Sequence, residues 1–276
     1  MPTPERYAVI GHPIGHSLSP RIHAMFAQQT GQAIRYEAID VRPEQLAATL
    51  HAFFARGGRG LNVTVPHKQT VLPLLHALSE RARRARAVNT IVDEMAGLLG
   101  DNTDGVGLIR DLRANLRVKV EKRRVLLLGA GGAARGVLGP LLALRPAELV
   151  IANRGDERAQ GLAREFAGDG TVRSQLMTEL TGEFGLIVNA TAASLQGTLP
   201  PLPAGLVGRT TVCYDLAYGL QPSAFVRWAR GQGAARAYMG LGMLVEQAAE
   251  SFWLWRGVRP QTEPVLAALR ADGVTP

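Results

Sequence analysis

Arg124-Val125-Leu126-Leu127-Leu128-Gly129-Ala130-Gly131-Gly132-Ala133-Ala134 is the stretch from which the architecture can be read. Val125 to Leu128 is an unbroken apolar run, as a strand needs when both of its faces are covered in a parallel sheet. Gly129-x-Gly131-x-x-Ala134 follows at once and opens a helix through Leu144. Glycine at 129 permits the tight turn out of the strand, glycine at 131 lets the backbone approach a pyrophosphate, and the small Ala134 lets the helix lie close on the strand. The phosphates then meet the N–H groups of the helix N-terminus. A strand before and a helix after make the pattern specific, so Gly129, Ala130, Gly131, Gly132 and Ala133 are the expected cradle of a dinucleotide in a Rossmann-type domain.

Toward the C-terminus, a strand is expected at Glu148 to Ala152. An NAD-binding chain carries an acidic residue about 20 residues after the loop, to hold the ribose hydroxyls. Asn153-Arg154 stands here instead. A carboxylate would repel a 2′-phosphate, whereas Arg154 and Arg158 offer guanidinium forks to it, so the expected cofactor is NADP. Asp156 and Glu157 fall in the first turn of the next helix, where its dipole favours acids. Further strands are expected at Leu186 to Asn189 and Thr211 to Asp215, with Pro200, Pro201 and Pro203 marking a loop between them. Leu241 to Trp255 reads as a long helix whose stripe of Leu244, Ala248 and Phe252 needs a partner, expected in the N-terminal part of the chain.

Toward the N-terminus, strands are expected at Tyr7 to Ile10, Tyr36 to Val41 and Leu61 to Val65, and helices at Pro20 to Gln29 and Pro43 to Phe54. This alternation predicts a mostly parallel sheet with helices on both faces and ligands beyond the carboxyl ends of the strands. The charged stretch Lys119 to Arg124 looks like a boundary. The expected organisation is therefore α/β in two domains: an N-terminal α/β substrate domain, 1–104, a Rossmann-type NADP-binding domain, 105–237, and a C-terminal helical return to the first, 238–276. A chain of 276 residues suits two domains at about 100–200 residues each.

Bulk properties narrow the function classes. The formal charge of +8 admits nucleic acid, an anionic membrane surface or small acidic ligands. The densest basic run, Arg81 to Arg86, lacks the interleaved aromatic residues that nucleic-acid grooves use as stacking platforms, so no nucleic-acid partner is expected. Its Ala82, Ala85 and Val88 read instead as the buried stripe of a helix with solvated arginines. The one cysteine, Cys213, allows no internal disulfide and points to a reducing, cytoplasmic setting. No signal peptide and no membrane span are expected. The six histidines show no zinc-ligand pattern, so no metal is expected.

Three segments carry more polar chemistry than a structural role requires. In Ser17-Leu18-Ser19-Pro20, an extended backbone would aim two hydroxyls at one carboxylate, while Ser19 also reads as the cap of the helix starting at Pro20. In Asn62-Val63-Thr64-Val65-Pro66-His67-Lys68, the strand period puts Val63 and Val65 in the core and Asn62 and Thr64 on the other face. Lys68 stands just past the strand end, where a partly desolvated lysine could serve as acid or electrostatic clamp and an ordinary solvated one would begin a helix. His67 is a rival acid, but neighbouring side chains on extended backbone diverge. Asp101 to Gly105 supplies carboxylates, of which Asp104 also reads as a helix cap.

Together these segments resemble the signature of the shikimate/quinate dehydrogenase family. The resemblance runs through nearly the whole chain and includes Ala87-Val88-Asn89-Thr90, Asn189-Ala190-Thr191, Asp215 to Tyr218 and Gly240 to Gln247. It implies a cytoplasmic, NADP-dependent oxidoreductase of the shikimate pathway, reducing 3-dehydroshikimate to shikimate for chorismate and aromatic amino acid biosynthesis. It makes Lys68 and Asp104 the catalytic pair. The substrate carboxylate goes to Ser17 and Ser19 with Tyr218 nearby, and the ring hydroxyls to Asn62, Thr64, Asn89, Asp104 and Gln247. At the cofactor, Leu216 and Gly240 hold the nicotinamide end through backbone, Thr191 lines the approach, and Glu80 is a further contact. Departures from the family pattern stand at Ser194, Met239 and Gln221 to Ala224, and concern loop shape near the cofactor. Alternatives are a relative that accepts quinate or NAD, and a non-catalytic NADP-binding regulator. Monomer and homodimer are both open.

Overall fold

The structure, a computed structural model, describes residues 3–275. Its first part contains β1 (Glu5–Gly11), α1 (Ser19–Thr30), β2 (Ile34–Asp40), α2 (Leu46–Ala55), β3 (Gly58–Val63), β4 (Ala77–Leu78), α3 (Glu80–Ala85), β5 (Thr90–Glu94), β6 (Gly97–Asp101) and α4 (Asp104–Arg110). The second part contains β7 (Arg124–Leu128), α5 (Gly132–Ala143), β8 (Glu148–Asn153), α6 (Asp156–Glu165), β9 (Val172–Leu176), β10 (Phe184–Asn189), β11 (Val207–Asp215), α7 (Ala224–Gly231) and β12 (Arg236–Met239), and the chain closes with α8 (Leu241–Arg256) and α9 (Glu263–Ala271).

Each part builds one six-stranded sheet. The second sheet is parallel throughout, in the order β12-β11-β10-β7-β8-β9. β7 lies at its centre, and the chain order reverses beside it, between β7 and β10. That switch point opens the crevice at the carboxyl ends where nucleotides bind. Both faces of β7 are buried, which explains its apolar run: Val125 and Leu127 pack with Val137 and Leu141 of α5, and Leu126 and Leu128 with Phe225 and Val226 of α7.

The first sheet, in the order β2-β1-β3-β5-β6-β4, is mostly parallel, as expected: β1 pairs parallel with β2 and β3, and β4 with β6, while β5 runs against both of its neighbours. β3 pairs antiparallel with β5, and β5 with β6. The hairpin register puts Glu94 opposite Gly97, leaving only Met95 and Ala96 in the turn. A parallel crossover needs a dozen residues or more, so a link this short forces the antiparallel arrangement. One face of this sheet packs on α2 through Leu46, Leu50 and Phe53, and on the other side α1 contributes Ile22 and Phe26 against Val245, Ala248 and Phe252 of α8. The C-terminal helix therefore returns to the first part of the chain, as its stripe required.

Two local expectations are corrected. β3 ends at Val63 rather than Val65: Val63 is buried, but Val65 is 43% exposed. The backbone turns at this point, with His67 N–H donating to the Thr64 carbonyl at 2.8 Å, and the turn carries Val65 out of the sheet's alternation. The arginines after Ser79 are solvated only in part: Arg83 and Arg86 are exposed, whereas Arg81 and Arg84 are partly buried. Ala82 and Ala85 are buried as expected, but Arg81 bonds Asp101 at 2.6 Å, Arg84 lies 3.7 Å over the Phe166 ring, and Arg86 pairs with Glu165 at 3.4 Å. α3 sits in the seam between the two parts, so Glu165 at the end of α6 and Asp169 beyond it face its arginines. Among the described residues no helix is long and apolar enough to cross a membrane.

Candidate active site

Lys68 follows the turn that ends β3 and forms an ion pair with Asp104 Oδ2 at the start of α4. Their side chains are 13% and 4% exposed, so the pair is largely withdrawn from water. Asp104 does not cap α4. Its second oxygen, Oδ1, accepts from Asn89 Nδ2 at 2.8 Å, and its N–H donates to Asn102 Oδ1 at 3.1 Å. Each carboxylate oxygen thus has its own donor, and the first turn of a helix favours the negative charge. His67 turns into the core, where its Nε2 meets the Val41 carbonyl at 2.6 Å, away from Lys68.

Asn89 is the hub behind the pair. Besides Asp104, its Nδ2 reaches Thr103 Oγ1 at 2.8 Å and Gln247 Oε1 at 3.1 Å, and its Oδ1 accepts from Thr90 Oγ1 at 2.9 Å and Thr103 N–H at 2.8 Å. Ser251 Oγ joins Thr90 Oγ1 at 2.8 Å. Thr90, Thr103 and Ser251 were not expected from the sequence. Ser251 had a readable signal, because it lies one turn beyond Gln247 on the same face of α8.

The nucleotide loop approaches this pair directly. A Cβ on Gly132 would stand 3.0 Å from Lys68 Cβ, and one on Gly136 would stand 2.9 Å from Asn102 Oδ1 and 3.1 Å from Asp104 Oδ2. Glycine one turn apart on α5 is what lets the helix press against Lys68 and Asp104. Gly136→Ala is accordingly expected to displace Asp104 and lower kcat about tenfold, since small misplacements of reacting groups are costly. Gly161→Ala, where a Cβ would meet nothing within 4 Å, should leave kcat unchanged. Steady-state assays of the two variants check this.

The loop itself fits phosphate. Gly129 has φ +102°, a conformation open to glycine, and a Cβ there would press on the Ala190 carbonyl at 3.1 Å. Gly131 precedes α5 with no side-chain cap, and a Cβ there would meet open space. The first-turn N–H groups around Gly132 and Ala133 are thus available to an anion, while Ala130 and Ala134 are buried beneath them. Asn153 closes β8 and donates to the Gly155 carbonyl at 3.0 Å. Arg154 and Arg158 are exposed and form no ion pair among the described residues. Glu80 stands apart from this loop, lining a 510 Å³ cavity against the flank of α5 with Gly136 and Pro140.

At the far end of the cleft, Ser19 is buried at the start of α1 and Ser17 is partly buried. Leu18 between them is helical (φ −83°, ψ −6°) rather than extended, and Ser19 does not cap α1. Ser17 Oγ instead accepts from the Ser19 N–H at 3.3 Å. Tyr218, on the loop after β11, comes to the same place: burial raises its phenol pKa, opposed by hydrogen bonds with Ser17 and the Leu18 backbone. Thr64 is partly buried at the turn after β3, against Gly11.

The loops after β10 and β11 converge on a buried carboxylate. Asp215 Oδ2 accepts from Ser194 and Ser223 hydroxyls, both at 2.5 Å, and its Oδ1 from Asn189 Nδ2 at 3.2 Å and Ala217 N–H at 3.1 Å. Burial raises the pKa of Asp215, and these donors oppose the rise. Asn189 in turn holds Thr191, whose hydroxyl donates to its Oδ1 at 2.7 Å. Ser194, Ser223 and Met239, three departures from the family pattern, meet here, with Ser223 N–H directed at Met239 Sδ at 3.3 Å. Gly240 is needed for close approach, as a Cβ would fall 2.5 Å from the Leu216 carbonyl.

A dinucleotide cradle pressed against a buried lysine–aspartate pair defines a pyridine-nucleotide-dependent oxidoreductase. Residues 9–91 match the family model of the shikimate dehydrogenase substrate binding domain, 112–196 that of shikimate / quinate 5-dehydrogenase, and 240–270 that of the shikimate 5′-dehydrogenase C-terminal domain. The shikimate dehydrogenase (NADP(+)) of Alkalilimnicola ehrlichii is 54% identical over 97% of this chain and 99% of its own. The crystal structure of an Ael1 enzyme from Pseudomonas putida superimposes with a TM-score of 0.88 at 47% identity, covering 96% of this chain and 98% of that one. The shikimate 5-dehydrogenase of Thermus thermophilus, solved in complex with NADP(H) and shikimate, gives 0.84 at 35% identity over 97% and 99%. The chain belongs to the shikimate dehydrogenase family.

Proposed function

We propose that the chain catalyses the reversible NADPH-dependent reduction of 3-dehydroshikimate to shikimate, with 1–104 holding the substrate, 105–237 the cofactor, and 238–276 tying back to the first. The observation that carries this reading is the Lys68–Asp104 pair packed against Gly132 and Gly136 of the cradle helix. NADPH, when bound, supplies a hydride to the C3 carbonyl carbon. Gly129 to Ala133 would hold its pyrophosphate, Asn153, Arg154 and Arg158 its 2′-phosphoribose, and Thr191, Leu216 and Gly240 its nicotinamide end.

Negative charge developing on the ketone oxygen needs a proton and a nearby cation, and the Lys68 ammonium provides both. Asp104 keeps that ammonium aimed at C3 and accepts from the neighbouring ring hydroxyl. Asn89 fixes Asp104 through Oδ1, leaving Oδ2 for Lys68. In the oxidative direction the neutral lysine takes the proton back. Ser17, Ser19 and Tyr218 bind the substrate carboxylate, and Asn62, Thr64 and Gln247 complete the ring contacts. The 3.1 Å bond between Asn89 and Gln247 is one a substrate hydroxyl can exchange with.

The reading is tested by following NADPH absorbance with shikimate and with quinate, each with NADP and with NAD. Reduction with shikimate and NADP is the expected result. Strong turnover with quinate or NAD would identify a broader dehydrogenase, and silence throughout with NADPH still binding a regulator. Arg154→Ala should raise the KM for NADP about 30-fold, the worth of a charged hydrogen bond of about 2 kcal/mol, and leave the KM for NAD unchanged. An equal rise for both cofactors would remove Arg154 from phosphate recognition.

A further inference from the structure

Tyr36 of β2 stands behind the cleft wall and donates its hydroxyl hydrogen to Asn62 Oδ1 at 2.7 Å. With that oxygen engaged, Asn62 points Nδ2 inward to the Asn89 carbonyl at 3.1 Å, Thr90 Oγ1 at 3.2 Å and Ser251 Oγ at 3.0 Å. The two ends of an amide are alike in shape and opposite in hydrogen bonding, so its partners decide which way it faces. A donor at Oδ1 and acceptors at Nδ2 leave Asn62 one orientation. The two N–H bonds are then spent internally, and what Asn62 can still offer is the second lone pair of Oδ1.

The tyrosine ring is held in turn. It stacks on His23 at 4.1 Å with an interplanar angle of 7° and lies 6.2 Å from the Trp255 ring. Among the described residues neither ring nitrogen of the fully buried His23 has a hydrogen-bond partner, and burial lowers its pKa to about 3 against the opposing pull of the Asn62 side chain, so it is a neutral stacking plate. Burial raises the Tyr36 phenol well above its ordinary value, which keeps it a hydrogen donor, and Ser19 and Tyr218 lie beside it. Beyond Asn62 the bonds continue through Thr90 and Asn89 to Asp104 and Lys68.

We propose that Tyr36 is a positioning residue for substrate selection: by locking the amide of Asn62 it makes that residue an acceptor, so the substrate group recognised there is a hydroxyl that donates. A keto or ether oxygen at the same ring position meets a lone pair and is refused. Ser251 performs the complementary task at Nδ2. The inference rests on the assignment of Asn62 to the substrate ring, and the test separates the two.

The KM values for shikimate and for NADP are measured separately for the wild type, Tyr36→Phe, Asn62→Ala and the double variant. Tyr36→Phe should raise the KM for shikimate about tenfold, as loss of one hydrogen bond to a buried amide would, and leave the KM for NADP unchanged. In the Asn62→Ala background the same change should add nothing, because coupled residues are non-additive. An additive effect, a rise in both KM values, or a silent Tyr36→Phe overturns the proposal while leaving Asn62 a ligand. A silent Asn62→Ala overturns the proposal together with the assignment beneath it. Should the Tyr36→Phe variant fail to fold, Ser251→Ala supplies the same reading, with a rise in the KM for shikimate alone, dependent on Asn62, as the expected result and its absence as refutation.

Discussion

Lys68→Ala is expected to lower kcat about a thousandfold while NADPH binding persists, since a positioned general acid contributes on the order of a hundred- to ten-thousandfold. Lys68 provides the ammonium of the Asp104 pair, and His67, the nearest other acid in sequence, is turned toward Val41. His67 is therefore not placed to take over the proton. The cradle, by contrast, is made by the backbone of Gly129 to Ala133 and does not depend on the lysine side chain. Single-turnover kinetics beside fluorescence titration with NADPH separate the two effects, and full turnover in the variant would remove Lys68 from the chemistry.

Asp104→Asn should cost nearly as much, about a hundredfold in kcat, although it exchanges a carboxylate oxygen for an amide nitrogen and changes almost no volume. Lys68 Nζ and Asn89 Nδ2 both donate to Asp104, one to each oxygen. An asparagine amide has one acceptor oxygen and one donor nitrogen, so at least one of these partners must face a donor with a donor. In either orientation the neutral amide leaves the largely buried Lys68 ammonium without its counter-charge, which costs about 3 kcal/mol. The variant should therefore melt at lower temperature as well as turn over slowly. A loss of activity with the melting temperature unchanged would mean that Asp104 acts on substrate alone and does not hold Lys68.

The nucleotide-binding half was legible because its chemistry is written in contiguous residues. An apolar strand, a glycine turn and a helix follow one another, and β7 and α5 form where that order placed them. The substrate half was less legible because its sheet is assembled from distant pieces. The two-residue turn at Met95 and Ala96 that makes the β5–β6 hairpin carries no strong turn signal, so the antiparallel run of β5 inside an otherwise parallel sheet could not be read in advance. β4, β9 and β12 were too short or too polar to stand out.

At the site, Lys68 and Asp104 could be named from their segments, but their contact is a property of the fold. The residues between them needed coordinates. Thr90, Thr103 and Ser251 are ordinary hydroxyls in sequence and become informative only when all three are found around the amides of Asn62 and Asn89. The same holds for Asp215, which reads as the end of a strand. In the fold it gathers Ser194, Ser223, Asn189 and Ala217, so residues that break the family pattern prove to be partners of one carboxylate.

The most direct test of the account is a crystal structure of this chain with NADP and shikimate, read at one distance. The account predicts the C3 oxygen within about 3 Å of Lys68 Nζ, with the carboxylate on Ser17 and Ser19 and the nicotinamide on the side of Leu216 and Gly240. A ring turned so that its carboxylate meets Lys68, or a C3 oxygen beyond hydrogen-bond reach of that nitrogen while the cofactor sits in its cradle, would contradict it.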